Sequence, residues 1–154
     1  MIYVESIKPH LHYDELEIIL VLKGKITLYK MERKVELKEG DIAFVNRKVS
    51  HYIKSEGAYI LSILVKLSEF KHIYDKMEYV EFLAIDEMIQ YNRPLKQKLD
   101  TCTIDYLVFI FQHQNNQRFR SELFFYEDQL MHTLFATYQL RININEKEEY
   151  LDNE

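Results

Sequence analysis

The sequence predicts a mainly β domain, two packed antiparallel sheets arranged as a barrel, followed by a helical region. Three observations carry that prediction. Between residues 16 and 66 short apolar runs alternate with turn-like breaks, and all three glycines, Gly24, Gly40 and Gly57, fall among those breaks. Beyond Leu67 there is no glycine, and apolar residues recur at three- and four-residue intervals.

The strands are read from LEIILVL, KITLYKM, KVELK, DIAFVN, SHYIK and AYILSILVK. In KITLYKM, alternation sets Ile26 and Leu28 on one side and Thr27 and Tyr29 on the other; in the next run Val35 and Leu37 alternate with Glu36 and Lys38. Half-buried strands of this kind need a second sheet against their apolar face. Six or more, joined by hairpins, form a sandwich or barrel, which shortens or removes exposed edges.

Past Leu67 the clearest helix runs over 119–142, where Leu123, Leu130 and Leu134 recur alongside Phe124, Met131, Phe135 and Tyr138. TIDYLVFIFQHQ places Ile104, Leu107, Val108 and Phe111 on one helical face, though Val, Phe and Ile also suit a strand. Residues 68–92 predict one or two helices, with Ser68 as N-cap. The chain thus divides into a barrel (1–67), a helical region that packs on it and supplies a subunit interface (68–145), and an acidic tail or linker start (146–154).

Composition narrows the functions. A chain of 154 residues with 47% hydrophobic and 14% aromatic content suffices for one compact domain. The net charge of −5 resides mostly in the last nine residues, EKEEYLDNE, whose five carboxylates and one lysine leave the body with 20 acidic against 19 basic groups. So balanced a body lacks the basic face that displaces counterions from DNA. Neither a signal core nor a membrane span is visible, which predicts a cytoplasmic protein without membrane contact. The single cysteine, Cys102, excludes an internal disulfide framework and reads as a small buried hydrophobe. No Ser-His-Asp grouping or glycine-rich phosphate loop stands out.

Chemistry gathers at the mouth of the first long strand. His10 and His12, one residue apart, point to the same side of an extended chain, and Glu17 lies just inside the strand that follows. A transition metal bound by imidazole and carboxylate needs three or four such groups converging at about 2 Å. His51, at the end of GDIAFVNRKVSH, is the candidate fourth. The alternative is that the four line a polar pocket and hydrogen-bond one another or a ligand without any ion. His72, His113 and His132 read as surface or helix-face residues, and Tyr13, Tyr29, Tyr52 and Tyr59 as weak candidates for stacking on a ligand.

This spacing, His10-x-His12, four residues, Glu17, six residues, Gly24, then Gly40 through to His51, resembles the cupin family. The resemblance implies a cupin-type double-stranded β-helix in which His10, His12, Glu17 and His51 hold an ion or a ligand on the inner wall. The second cupin motif carries proline and glycine where this chain has Asn46 and Lys48, and asparagine where it has Ser55. In these departures the chain is similar to the sensor domains of AraC-type transcription regulators, in which a G-D-x-x-x-x-N run leads to a histidine eleven residues after the glycine. That likeness implies a non-enzymatic, effector-sensing and dimerising domain. Its effector would be a small molecule, a sugar among the candidates, and DNA would be reached through a helix-turn-helix part that this chain does not include. It further implies a homodimer; the apolar stripe of Leu123, Phe124, Leu130, Met131, Leu134, Phe135 and Tyr138 could cover its own barrel, but its length and aromatic content assign it to the subunit interface. The alternative implied by the same motifs is a small metal-dependent cupin enzyme using a divalent transition metal.

Overall fold

The computed structural model describes residues 2–3, 6–31, 33–82, 104–113, 115–137 and 140–142. All six strands read from the sequence are present: β3 (Glu15–Lys23), β4 (Lys25–Lys30), β5 (Arg33–Lys38), β6 (Ile42–Val45), β7 (His51–Ser55) and β8 (Tyr59–Lys66). Two shorter strands precede them, β1 (Ile2–Tyr3) and β2 (Ile7–His10). They form two four-stranded antiparallel sheets, ordered β1-β8-β3-β6 and β2-β7-β4-β5.

β3 shows why one run is continuously apolar while its neighbours alternate. Leu16, Ile18 and Leu20 join one buried cluster with Phe70, Met77, Leu107, Leu130 and Leu134. Ile19 and Val21, on the opposite face, join a second cluster with Ile60 of the neighbouring β8 and with Ile26, Leu28, Leu37 and Ile53 of the other sheet. The strand is covered on both sides, by helices outside and the second sheet inside, so neither face tolerates a polar residue without a partner. Glu17 shares the inward parity of Ile19 and Val21, which puts its carboxylate between the sheets. Gly24 closes the β3–β4 hairpin at φ +84°, where an added Cβ would sit 3.1 Å from Ala58 Cβ and 3.2 Å from its Cα. Both the turn and the close approach require glycine there.

The helical region departs from its prediction in three places. Residues 71–82 contain no α-helix: two 3-10 turns, Leu67–Phe70 and Met77–Tyr79, lead into strand β9 (Val80–Phe82). Phe70, Ile73, Met77 and Val80 have helical spacing, yet successive turns bury Phe70, Met77 and Val80 equally well. Ser68 lies inside the first turn, whose capping position is Lys66, and so caps nothing. Helix α1 (104–113) is present as expected with Leu107 buried, but Val108, placed on that face by the sequence, is turned outward and Ile110 is buried instead.

Helix α2 (Arg120–Thr137) follows a 3-10 turn at Gln117–Phe119 and is shorter than 119–142. Asn116 Oδ1 accepts the Arg118 N–H and so caps that turn. Leu140–Ile142 is strand β10, paired antiparallel with β9 in the register Leu140↔Phe82, Arg141↔Glu81 and Ile142↔Val80. Backbone pairing with β9 replaces the last turn of the expected helix. Cys102, Tyr138, residues 83–92 and the 146–154 tail lie outside the described residues.

The interface expectation needs a correction. Leu130, Met131 and Leu134 are at most 1% exposed within a single chain and belong to its own core, and Leu123 and Phe135 pack partly against that core. Among the six of these residues that are described, Phe124 is the exposed one, at 44%. The outer face of the β1-β8-β3-β6 sheet had to be covered, and the stripe covers it. No helix of the described residues is long and apolar enough to cross a membrane.

Candidate metal and ligand site

The four side chains singled out by spacing converge between the sheets. His10 and His51 are direct cross-strand partners on β2 and β7, His12 follows in the loop after β2, and Glu17 reaches across from β3. One ligand atom from each lies within 4.8 Å of all the others. Glu17 Oε2 is the focus: His51 Nε2 stands 2.5 Å from it, His12 Nε2 3.4 Å and His10 Nε2 3.7 Å. The cluster grades from closed to open, since the side chains of His51 and Glu17 are 0% and 4% exposed and those of His12 and His10 23% and 30%.

Local backbone aims these rings. Nδ1 of His10 lies 2.9 Å from the Lys8 carbonyl and Nδ1 of His51 2.9 Å from the Val49 carbonyl. A carbonyl only accepts, so Nδ1 carries a proton in both rings and Nε2 faces Glu17. Such a bond is the usual way a ligating imidazole is held in one tautomer. Lys48 adopts φ +63° in the turn before His51, at the position where the cupin motif has glycine. That left-handed residue directs its own N–H to the His12 carbonyl at 2.5 Å, tying the His51 turn to the His12 loop. Asn46, opening the same turn, donates from Nδ2 to the Phe82 carbonyl and accepts the Phe82 N–H at Oδ1, both at 2.9 Å.

Electrostatics favour an ionised Glu17. Burial pushes its carboxyl up, but hydrogen bonds from His51 and Ser62 and the positive charge of His51 and His12 outweigh that, leaving it below its ordinary value of 4.5. Ser62 Oγ donates to Glu17 Oε1 at 2.7 Å, so one carboxylate oxygen is held by β8 and the other faces the histidines. An imidazole lone pair and a carboxylate oxygen cannot face each other at 2.5 Å without a positive centre, either a proton on Nε2 or a metal bound by both. His12 Nε2 is buried without a hydrogen-bond partner. Three imidazoles and a carboxylate, with one buried nitrogen unsatisfied, fit the donor set of a divalent transition metal.

His10, His12 and Glu17 form one wall of a cavity of ≈650 Å³, while His51, fully buried behind Glu17, does not line it. Ile7, Pro9, Ser62 and Leu64 continue that wall, and Ile110 of α1 and Glu127 of α2 complete it. None of the four tyrosines considered for stacking lines it: Tyr29 and Tyr52 stack on each other at 4.4 Å, and Tyr13 and Tyr59 are exposed. Sequence reasoning missed Ser62 and Glu127. Ser62 was findable as the polar residue at inward parity in AYILSILVK; Glu127 depends on how the helix docks, which no local pattern encodes.

Solved structures similar to this chain include a cupin-2 domain containing protein from Shewanella frigidimarina (17% identity, TM-score 0.39, covering 43% of this chain and 65% of that one). A predicted oxalate decarboxylase from Thermotoga maritima (28%, TM-score 0.40) covers 44% of this chain and 63% of its own. KdgF from Halomonas sp. (18%, TM-score 0.36) covers 38% and 56%. The chain therefore spans less than two thirds of the length of each. No curated protein matches it. Residues 3–65, which hold nearly all of both four-stranded sheets and the whole His10, His12, Glu17 and His51 cluster, match the family described as Cupin domain.

Proposed function

We propose that the chain is the effector-sensing domain of an AraC-type transcription regulator, with the cavity as its small-molecule pocket. The observation that carries this reading is the shared wall. His10, His12 and Glu17 come from the sheet region, while Ile110 and Glu127 come from the two helices. A molecule filling the cavity touches both, so its binding alters how the helices sit on the sheets, and that is the coupling a sensor needs. The GDIAFVN run that leads to His51 and the helical second half support the same reading.

The size falls in the roughly 300–1,000 Å³ range of small-molecule sites. Histidines and carboxylates beside Ile7, Leu64 and Ile110 suit a hydroxylated molecule with an apolar face, such as a sugar. A divalent metal held by His10, His12, Glu17 and His51 would supply a fixed positive charge that polarises a ligand oxygen. Ser62 and the Lys8 and Val49 carbonyls orient the residues that hold it. Pairing of two chains belongs to the proposal, on a surface that excludes Leu130, Met131 and Leu134; the exposed rings of Phe124 and Phe125 on α2 are what the helix offers. A second reading, a small metal-dependent enzyme, is favoured by the donor set itself.

The test is a thermal-shift screen of neutral and acidic monosaccharides with and without Mn²⁺ or Zn²⁺. A ligand at a hundred times its Kd adds about 2.7 kcal/mol to the folded state. A binding sugar that slows amide exchange in α1 and α2 and is recovered unchanged supports the sensor. A sugar converted to product supports the enzyme, and one that binds without protecting either helix contradicts the coupling.

A further inference from the structure

A second cluster of imidazoles and carboxylate sits where α2 meets the turn after the sheets. His72 lies in the turn following Leu67–Phe70, and Asp128 and His132 are four residues apart on α2. That spacing sets both on one helix face. His72 Nε2 is 2.5 Å from Asp128 Oδ1, and His132 Nε2 is 3.6 Å from Asp128 Oδ2. One ligand atom from each of the three lies within 4.8 Å of the others. The sequence places His72 and His132 as surface or helix-face residues, and the i,i+4 pair Asp128 and His132 is the available signal of the cluster.

The arrangement is held by more than the three polar groups. Phe70 is fully buried and stacks on Phe124 at 5.7 Å with the planes 5° apart. The His72 ring stands 6.0 Å from each of those rings, and its position is set by these contacts. The Asp128 side chain is 20% exposed, while those of His72 and His132 are about half exposed, at 48% and 52%. Two ring nitrogens and a carboxylate oxygen at these separations come within the roughly 2.0–2.2 Å ligand distances of one ion by small side-chain rotations. The half-exposed edge leaves a fourth position to water, as zinc takes when three protein groups bind it.

We propose that His72, Asp128 and His132 form a surface site for a divalent transition metal of the zinc class. The ion would clamp α2 to the turn that follows the sheets. The site shares no residue with the cavity cluster and stands whether or not that cluster binds metal.

Zinc titration by calorimetry on the whole chain is the experiment, with every His12→Ala variant also carrying His10→Ala, so that the cavity cluster keeps only two of its four ligand groups. His12→Ala is expected to retain one zinc. Adding His132→Ala or His72→Ala should weaken it by at least the roughly 10- to 100-fold that loss of an outer-shell partner costs a metal site. Both histidines are exposed enough for these variants to fold, and circular dichroism checks that they do. In His12→Ala, zinc should also slow amide exchange at 71–73 and across 128–134, and should fail to do so once His132 is replaced. If wild type binds one zinc and His132→Ala abolishes it, the surface site stands and the cavity reading loses its metal. Zinc uptake unchanged by both His72→Ala and His132→Ala, or no uptake by His12→Ala, overturns the proposal.

Discussion

Asn46→Ala tests how the site's turn is anchored. Its side-chain amide meets the Phe82 backbone with two 2.9 Å hydrogen bonds, acting as a strand partner would. Each such bond contributes about 0.5–1.5 kcal/mol net, so removing both costs about 1–3 kcal/mol. Phe82 is 3% exposed, which makes replacement by water slow to form and moves the expectation to about 2 kcal/mol. For a chain of this size that lowers Tm by roughly 4–8 °C. Urea unfolding gives the free energy, and hydrogen exchange at the Phe82 amide gives the local effect, which should be acceleration well beyond the global change. Asn46→Asp should be no better, since it places a carboxylate oxygen against the Phe82 carbonyl. The reasoning fails if Asn46→Ala stays within about 0.5 kcal/mol of wild type, the range of an ordinary surface substitution, with Phe82 still protected.

Other perturbations have equally definite outcomes. Lys48→Gly relieves a left-handed residue at φ +63° and should stabilise by about 1 kcal/mol in urea unfolding, a gain that a strain-free turn would not show. Glu127 is raised above its ordinary 4.5 by burial and then by the charge of Glu69. Its unfolded form therefore ionises first, and stability present below pH 4.5 is lost as pH rises through the higher folded value. Glu127→Gln, measured with a chelator present, should flatten that part of the stability profile and be the more stable protein at neutral pH; an unchanged profile would contradict it. Leu134→Glu, at a position 1% exposed, should unfold the chain, whereas Phe124→Ser, at one 44% exposed, should leave it folded and shift any dimer seen by light scattering toward monomer. A folded, monomeric Leu134→Glu would return that leucine to the subunit interface.

The strands were legible because three of their breaks fall at residues with a local reason to turn. Gly24, Gly40 and Gly57 all have positive φ. The cavity cluster was legible because His10, His12 and Glu17 are sequence neighbours and His51 lies at a fixed step beyond Gly40. What could not be read is non-local. Asn46 bonds a residue 36 positions away, and His72 meets a carboxylate 56 positions away. The 71–82 segment misled because helical spacing of Phe70, Ile73 and Met77 is equally consistent with successive 3-10 turns on one core. The stripe on α2 was identified correctly as apolar, but Leu130, Met131 and Leu134 within it cover the chain's own sheet, since periodicity reports that a face is buried and not against what.

On the proposed reading, His10, His12, Glu17 and His51 hold a metal whose His10, His12 and Glu17 side faces a small-molecule pocket. The most direct measurement is an anomalous difference map from crystals grown with Co²⁺, recorded on either side of the cobalt edge. The account predicts a peak bounded by the three Nε2 atoms and Glu17 Oε2, at the roughly 2.0–2.2 Å distances of a divalent ion bound by imidazole and carboxylate. A map at saturating cobalt with no peak among them, and with the His12 nitrogen bonded to water, would contradict it.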